Sequence, residues 1–196
     1  MKICMLNGKG GVGRTTLTLN LAHCLQCTYP SSRTYVADLD AQGSSLAWAR
    51  LAGETSFTVG VAKSRAKHDF HLFDTPPKLP ENGILPDADV FIIPTLLDAV
   101  SFVVFLKTME LVRKRSLPHI VVANRFNADR SEHRQRFAQL PPGALIVRDR
   151  AIFASSYGCG ETIFDRVGVR ARHARLDIKA IARALRGFNS QSWGDL

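Results

Sequence analysis

At 196 residues and 45% apolar side chains, the chain is long enough for one sizeable core and too apolar to be a disordered segment. Glycines cut off the apolar start Met1–Leu6 too early for a signal peptide, and no run approaches the roughly 18 apolar residues of a membrane span, so a cytoplasmic protein with a single domain over 1–196 is expected. Lys and Arg number 26 against 17 Asp and Glu, and the net charge of +9 points to a polyanionic partner, nucleic acid ahead of anionic membrane.

In chain order, Lys2–Asn7 reads as a strand. The glycine-rich segment Asn7-Gly8-Lys9-Gly10-Gly11-Val12-Gly13-Arg14-Thr15-Thr16 follows it and opens a helix over Thr15–Gln26. Further strands are expected at Thr34–Asp40, Phe70–Asp74, Asp89–Thr95, His119–Phe126 and Ala144–Asp149. Helices are expected at Ser44–Leu51, Ala99–Arg115, Ser131–Gln139 and Ala171–Arg186. Phe57–Val61 is broken by Gly60 and is not counted as a strand. Val90–Ile93 and Ile120–Ala123 are apolar on successive residues, the pattern of strands covered on both faces. The alternation predicts an α/β domain, doubly wound, with a mostly parallel sheet and helices on both faces. Cys24-Leu25-Gln26-Cys27 has redox-motif spacing but lies at a helix end, where the dipole does not lower a thiol pKa. Small, buried, reduced cysteines are the expectation.

The glycine-rich segment carries the chemistry. Gly8, Gly10, Gly11 and Gly13, with Val12 between them, let backbone N–H groups converge on phosphate oxygens. The helix that follows presents its positive end to the same anion. Thr15 is placed to offer a hydroxyl to Mg²⁺, and Thr16 can help at the phosphates. The general pattern has Lys after Gly13; here Arg14 keeps the charge on a bulkier, planar fork. Asp38 and Asp40, one residue apart at a strand end, suit Mg²⁺-water coordination and the orientation of a nucleophilic water.

Lys9–Thr16 resembles the deviant Walker A loop of the ParA/MinD family of SIMIBI-type P-loop NTPases, with Lys9 at the family's signature lysine. The resemblance implies ATP and Mg²⁺ as ligands, a homodimer formed on ATP binding, and Lys9 reaching the partner's nucleotide. Asp38-Leu39-Asp40-Ala41-Gln42-Gly43 is similar to the family's Asp-x-Asp-Pro-Gln-Gly, which implies the hydrolytic role for Asp40 and a place near the metal for Asp38. Leu72–Pro77 resembles Walker B, with Asp74 in the metal shell. Asn124 matches an Asn that often sits by the adenine, with capping of the next loop as the other reading. Gly160–Asp165 resembles a late family segment and reads as structural.

The chain resembles the small plasmid-partition ATPases, in which a separate, ParB-like centromere-binding adaptor reads the specific DNA site. Arg166, Arg170, Arg172, Arg175, Lys179, Arg183 and Arg186 then suit nonspecific DNA, and the chain would be nucleoid-associated. Ile178, Ile181, Ala182, Leu185 and Phe188 form an apolar stripe beside these charges, followed by the polar tail Asn189–Gln191 and Trp193. The stripe fits packing on the core, or a MinD-like amphipathic membrane helix as the lesser alternative. Arg14 opens another class, a nucleotide-binding scaffold that hydrolyses ATP weakly or not at all.

Overall fold

The computed structural model describes residues 1–61, 64, 66–80 and 83–188. The strands are β1 Lys2–Met5, β2 Thr34–Asp38, β3 Thr58–Val61, β4 Phe70–Asp74, β5 Val90–Thr95, β6 His119–Phe126 and β7 Leu145–Arg148. The helices are α1 Arg14–Thr28, α2 Ser44–Ala52, α3 Ala99–Lys114, α4 Ser131–Phe137, α5 Ala151–Gly158 and α6 Val169–Leu185, with a 3-10 turn over Arg186–Phe188. Among the described residues, seven strands join one sheet in the order β3-β2-β4-β1-β5-β6-β7, and every pairing is parallel.

Strand β1 is central, and its alternate side chains enter two different cores. Ile3 and Met5 pack with Leu17, Leu21 and Leu25 of α1 and with Ile178, Ile181 and Leu185 of α6. Cys4 and Leu6 pack on the other face with Phe105, Met109 and Val112 of α3. This two-sided burial explains the unbroken apolar runs seen in the sequence. Helix α3 starts where Asp98 accepts a hydrogen bond from the Ser101 N–H at 2.9 Å, and it ends in Arg113 and Lys114, which complement the helix dipole.

The apolar stripe of α6 is consumed by the core. Ile178, Ile181 and Leu185 are fully buried, each worth about 1.5–3 kcal/mol of burial, so this face is not presented to a membrane. Phe188 remains partly exposed, while Asn189–Gln191 and Trp193 lie outside the described residues. No helix among the described residues is long and apolar enough to cross a membrane.

Three expectations need correction. Phe57–Val61 does contain a strand, β3, at the edge of the sheet. A Cβ on Gly60 would sit 2.3 Å from the Tyr35 hydroxyl, so the glycine permits close approach to β2 rather than breaking the strand. Helix α5 was not expected, because eight residues are too few to show a helical period. Cys4 and Cys24 are buried and reduced, whereas Cys27 and Cys159 are reduced but exposed. Burial pushes the Cys24 thiol up to about 11, far from the range of a reactive thiolate.

The Gly160–Asp165 segment braces the fold. Thr162 bonds His23 Nδ1 at 2.7 Å and Asp165 at 2.9 Å, and the Ile163 N–H donates to Asn20 on α1 at 2.9 Å. Gly160 has φ +67°, and a Cβ there would lie 2.6 Å from the backbone nitrogen of Ala52. Gly160→Ala is therefore expected to cost about 2–4 kcal/mol, read as a lower urea midpoint with an unchanged slope.

Candidate functional site

Parallel strands all end on one side, and that edge gathers the residues singled out in the sequence. Asp38 and Asp74 stand opposite each other in register at the ends of β2 and β4. Met5 is in register with Asp74 on β1, and residues 6–13 run from there to α1. The first turn of α1 holds no acidic residue, so its positive end is not neutralised locally.

The loop is held from several sides. Buried Asn7 donates through Nδ2 to the Pro94 carbonyl at 2.8 Å, and its Oδ1 accepts from the Lys9 N–H at 2.8 Å. Gly8 packs so closely that a Cβ would lie 3.1 Å from Leu79 and 3.4 Å from Val104. Gly11 and Gly13 take φ of +75° and +91°; Gly10 and Gly11 are exposed, and Val12 is buried. A Cβ at Gly13 would overlap Asn124 Nδ2 at 2.2 Å. Asn124 itself donates to the Val12 carbonyl at 2.8 Å, so its amide ties β6 to the loop rather than capping the loop that follows. Gly13, Thr16 and Asn124 also share a small cleft with Arg148, Asp149 and Phe153.

The two positive side chains behave differently. Among the described residues, the Lys9 ammonium makes no hydrogen bond or ion pair. Arg14 is only 7% exposed, and its guanidinium donates to three backbone carbonyls: Asn7 and Lys9 at 2.6 Å each, and Thr75 at 2.9 Å.

The carboxylates also divide. Asp38 Oδ1 accepts from the Asp40 N–H at 3.1 Å and Oδ2 from the Leu46 N–H at 3.0 Å, so Asp38 caps α2 and shapes the turn before it. Asp40 is half-buried and accepts from the Gln42 N–H at 3.0 Å. Asp74 is 1% exposed; Ser45 donates to its Oδ2 at 2.7 Å, and Oδ1 has no hydrogen-bond partner among the described residues. Burial raises its pKa to about 6, against the opposing pull of Ser45, Thr15 and Arg14. A buried carboxylate oxygen without a donor, beside the Thr15 hydroxyl, fits Mg²⁺. No cluster of three or more His, Cys, Asp or Glu forms a metal site among the described residues, so an ion here would take its other ligands from phosphate oxygens and water. Ser45 was missed in the sequence, although its position in the first turn of a helix after Gly43 is a usable signal.

The seven basic residues do not form one patch. Arg172, Lys179, Arg183 and Arg186 are exposed, and their spacing aligns them along the outer side of α6 and its terminal turn. Arg175 folds inward to the carbonyls of Ile163, Phe164 and Arg166 and lies 5.8 Å over the Phe164 ring. Arg166 and Arg170 instead line a cavity of ≈ 530 Å³ with Arg150, Ile152, Ser155 and Val167. Arg166 pairs with Glu161 there, and Arg150, which sequence reasoning missed, lies 3.6 Å from Asp177.

The profile of the CobQ/CobB/MinD/ParA nucleotide binding domain family matches residues 3–158. The chain belongs to this family. It is 27% identical over 93% of its length, and 93% of the relative's, to the maintenance of carboxysome distribution protein A of Gloeobacter kilaueensis. The fold is shared with a plasmid partition protein of Borrelia burgdorferi bound to AMPPNP, at a TM-score of 0.76 and 17% identity over 93% of this chain and 98% of the other. It is shared too with the septum site-determining protein MinD of Pyrococcus horikoshii complexed with Mg-ADP, at 0.70 and 15% over 97% and 98%. The doubly wound parallel sheet and the ParA/MinD resemblance read from the loop therefore both hold.

The raised pKa of Asp74 has a signed consequence. Its folded value lies above the ordinary 3.8, so the folded state holds the proton more tightly; that contribution to stability is present below pH 4 and lost as pH rises through about 6. Asp74→Asn should stabilise the nucleotide-free protein by about 2–3 kcal/mol at pH 7.5, a gain that shrinks towards zero at pH 4. Urea unfolding at both pH values measures it.

Proposed function

We propose that this chain is an ATP-dependent switch that dimerises with ATP and Mg²⁺, holds nonspecific DNA in that state, and is reset when an adaptor stimulates hydrolysis. The observation that carries this reading is the meeting of the glycine loop with a buried carboxylate whose Oδ1 lacks a donor. The loop N–H groups and the free end of α1 would bind the phosphates, and Thr15 and Asp74 would hold Mg²⁺, which supplies charge stabilisation on the transferred phosphoryl group. Asp40, half-buried at the turn, would orient the attacking water, while Asp38 keeps that turn in place. Lys9, without a side-chain partner among the described residues, is free to reach the nucleotide of a second copy.

A partner surface lies beside the loop. Helix α3 places Val104 against Gly8 and turns Val100, Val103 and Leu106 outward, each more than half exposed. The basic row of α6 and the arginine-lined cavity would take DNA phosphates. The relatives' names, carboxysome distribution and plasmid partition, share the spatial distribution of a cargo, which supports a positioning role with a plasmid or chromosome as cargo.

Two measurements test the reading. Equilibrium binding of Mg·ATP and Mg·ADP with light scattering should show dimers with ATP alone, and Asp40→Ala should keep the dimer while losing turnover. Neither nucleotide binding at millimolar concentration would refute the switch. For DNA, Arg170→Ala with Arg183→Ala should reduce the slope of log affinity against log salt by about two, with ATP binding retained.

A further inference from the structure

We propose that Arg14 is a positioning residue, a staple that holds the phosphate loop to the exit of β4 with and without nucleotide, and that a lysine in its place would weaken the site. The inference rests on the nucleotide-binding reading above and adds a role for the one position where the loop departs from the general pattern.

The guanidinium has one N–H on Nε and two on each terminal nitrogen. Nε is spent on the Thr75 carbonyl, and the two N–H groups of Nη1 on the carbonyls of Asn7 and Lys9. Only Nη2 is left to face a ligand. The three acceptors lie at separate points of the site: the start of the loop two residues beyond β1, the interior of the loop, and the first residue beyond β4. Two nitrogens of a rigid fork, set apart from each other, serve them together, whereas an ammonium must direct its three donors from a single point on a flexible stem and holds the geometry less firmly.

The staple fixes more than itself. The Lys9 backbone is held at both polar groups, its N–H by Asn7 Oδ1 and its carbonyl by Arg14, which sets the root of the signature lysine. Thr75 is fixed on the other side by its hydroxyl bond to the Met5 carbonyl and directly follows Asp74. Thr15 directly follows Arg14. One side chain thus sets the spacing between the phosphate-facing loop and both residues that would hold Mg²⁺. Phosphate charge is left to Lys9, the loop N–H groups and Nη2.

The test compares the native chain with R14K and Arg14→Gln. A residue acting only by charge at the phosphates would be conserved or improved in R14K. The staple predicts that R14K melts several degrees lower without nucleotide, binds Mg·ATP and Mg·ADP at least tenfold more weakly, and needs several-fold more Mg²⁺ for half-maximal binding. Arg14→Gln should bind about as weakly as R14K. The Mg²⁺ midpoint is read well below the melting temperature, where general destabilisation leaves it unmoved. On the native protein, nitrogen-15 NMR should show a slowly exchanging Arg14 Nε–H that persists when Mg·ADP is added. R14K binding as tightly as the native chain, an unchanged Mg²⁺ midpoint, or an Nε–H that exchanges as fast as one on a surface arginine would each overturn the proposal. If the native chain binds no nucleotide, the functional reading fails, and the nucleotide-free melting and Nε–H exchange still decide the staple.

Discussion

A carboxylate taken out of water at the end of a strand is the constraint around which this site is arranged. Asp74 sits where β4 stops, between β1 and β2, with almost no contact with solvent. Burial disfavours its charge, and the chain offsets this only in part, through the Ser45 hydroxyl on one oxygen and the Thr15 hydroxyl and Arg14 guanidinium nearby. The other oxygen is left without a donor among the described residues. A fold governed by stability alone would have an apolar residue or an amide here. The cost is explicable if the group is completed by a cation when phosphates arrive.

The rest of the edge supports that carboxylate. Parallel strands bring the ends of β1, β2, β4 and β6 to one side, and each supplies a tie. Asp38 on β2 caps α2, whose first turn carries Ser45 to Asp74. Asn124 on β6 reaches the loop carbonyl of Val12, and Asn7 at the exit of β1 reaches Pro94 on β5. Arg14 closes the set by joining loop and β4 exit. Side chains that look like ligands in the sequence thus spend much of their hydrogen-bonding capacity on backbone. Such ties keep the loop in place before a ligand is bound, the condition for electrostatic stabilisation without reorganisation.

The basic surface has a different logic. Its outer row on α6 follows from helical spacing over a face whose opposite side is wholly consumed by the core. That same packing of Ile178, Ile181 and Leu185 against α1 is what removes the helix from consideration as a membrane anchor.

The sequence by itself determined the sheet and the loop. β-Branched runs apolar on successive residues require cover on both faces, and glycines between a strand and a helix define a phosphate cradle whatever lies elsewhere. Phe70–Asp74 and His119–Phe126 were legible to the residue, because their limits are set by local composition. What escaped depends on neighbours distant in sequence. Gly60 reads as a break until Tyr35 is seen beside it, and α5 is too short to show a period. Ser45 matters only because β4 ends next to it, and Arg150 only because the cavity joins it to residues sixteen and twenty positions later. Arg14 is the sharpest case. Its charge and its place in the loop are visible in one dimension, but the direction of its fork, towards three carbonyls from two strand exits and the loop between, is decided only when the strands are side by side.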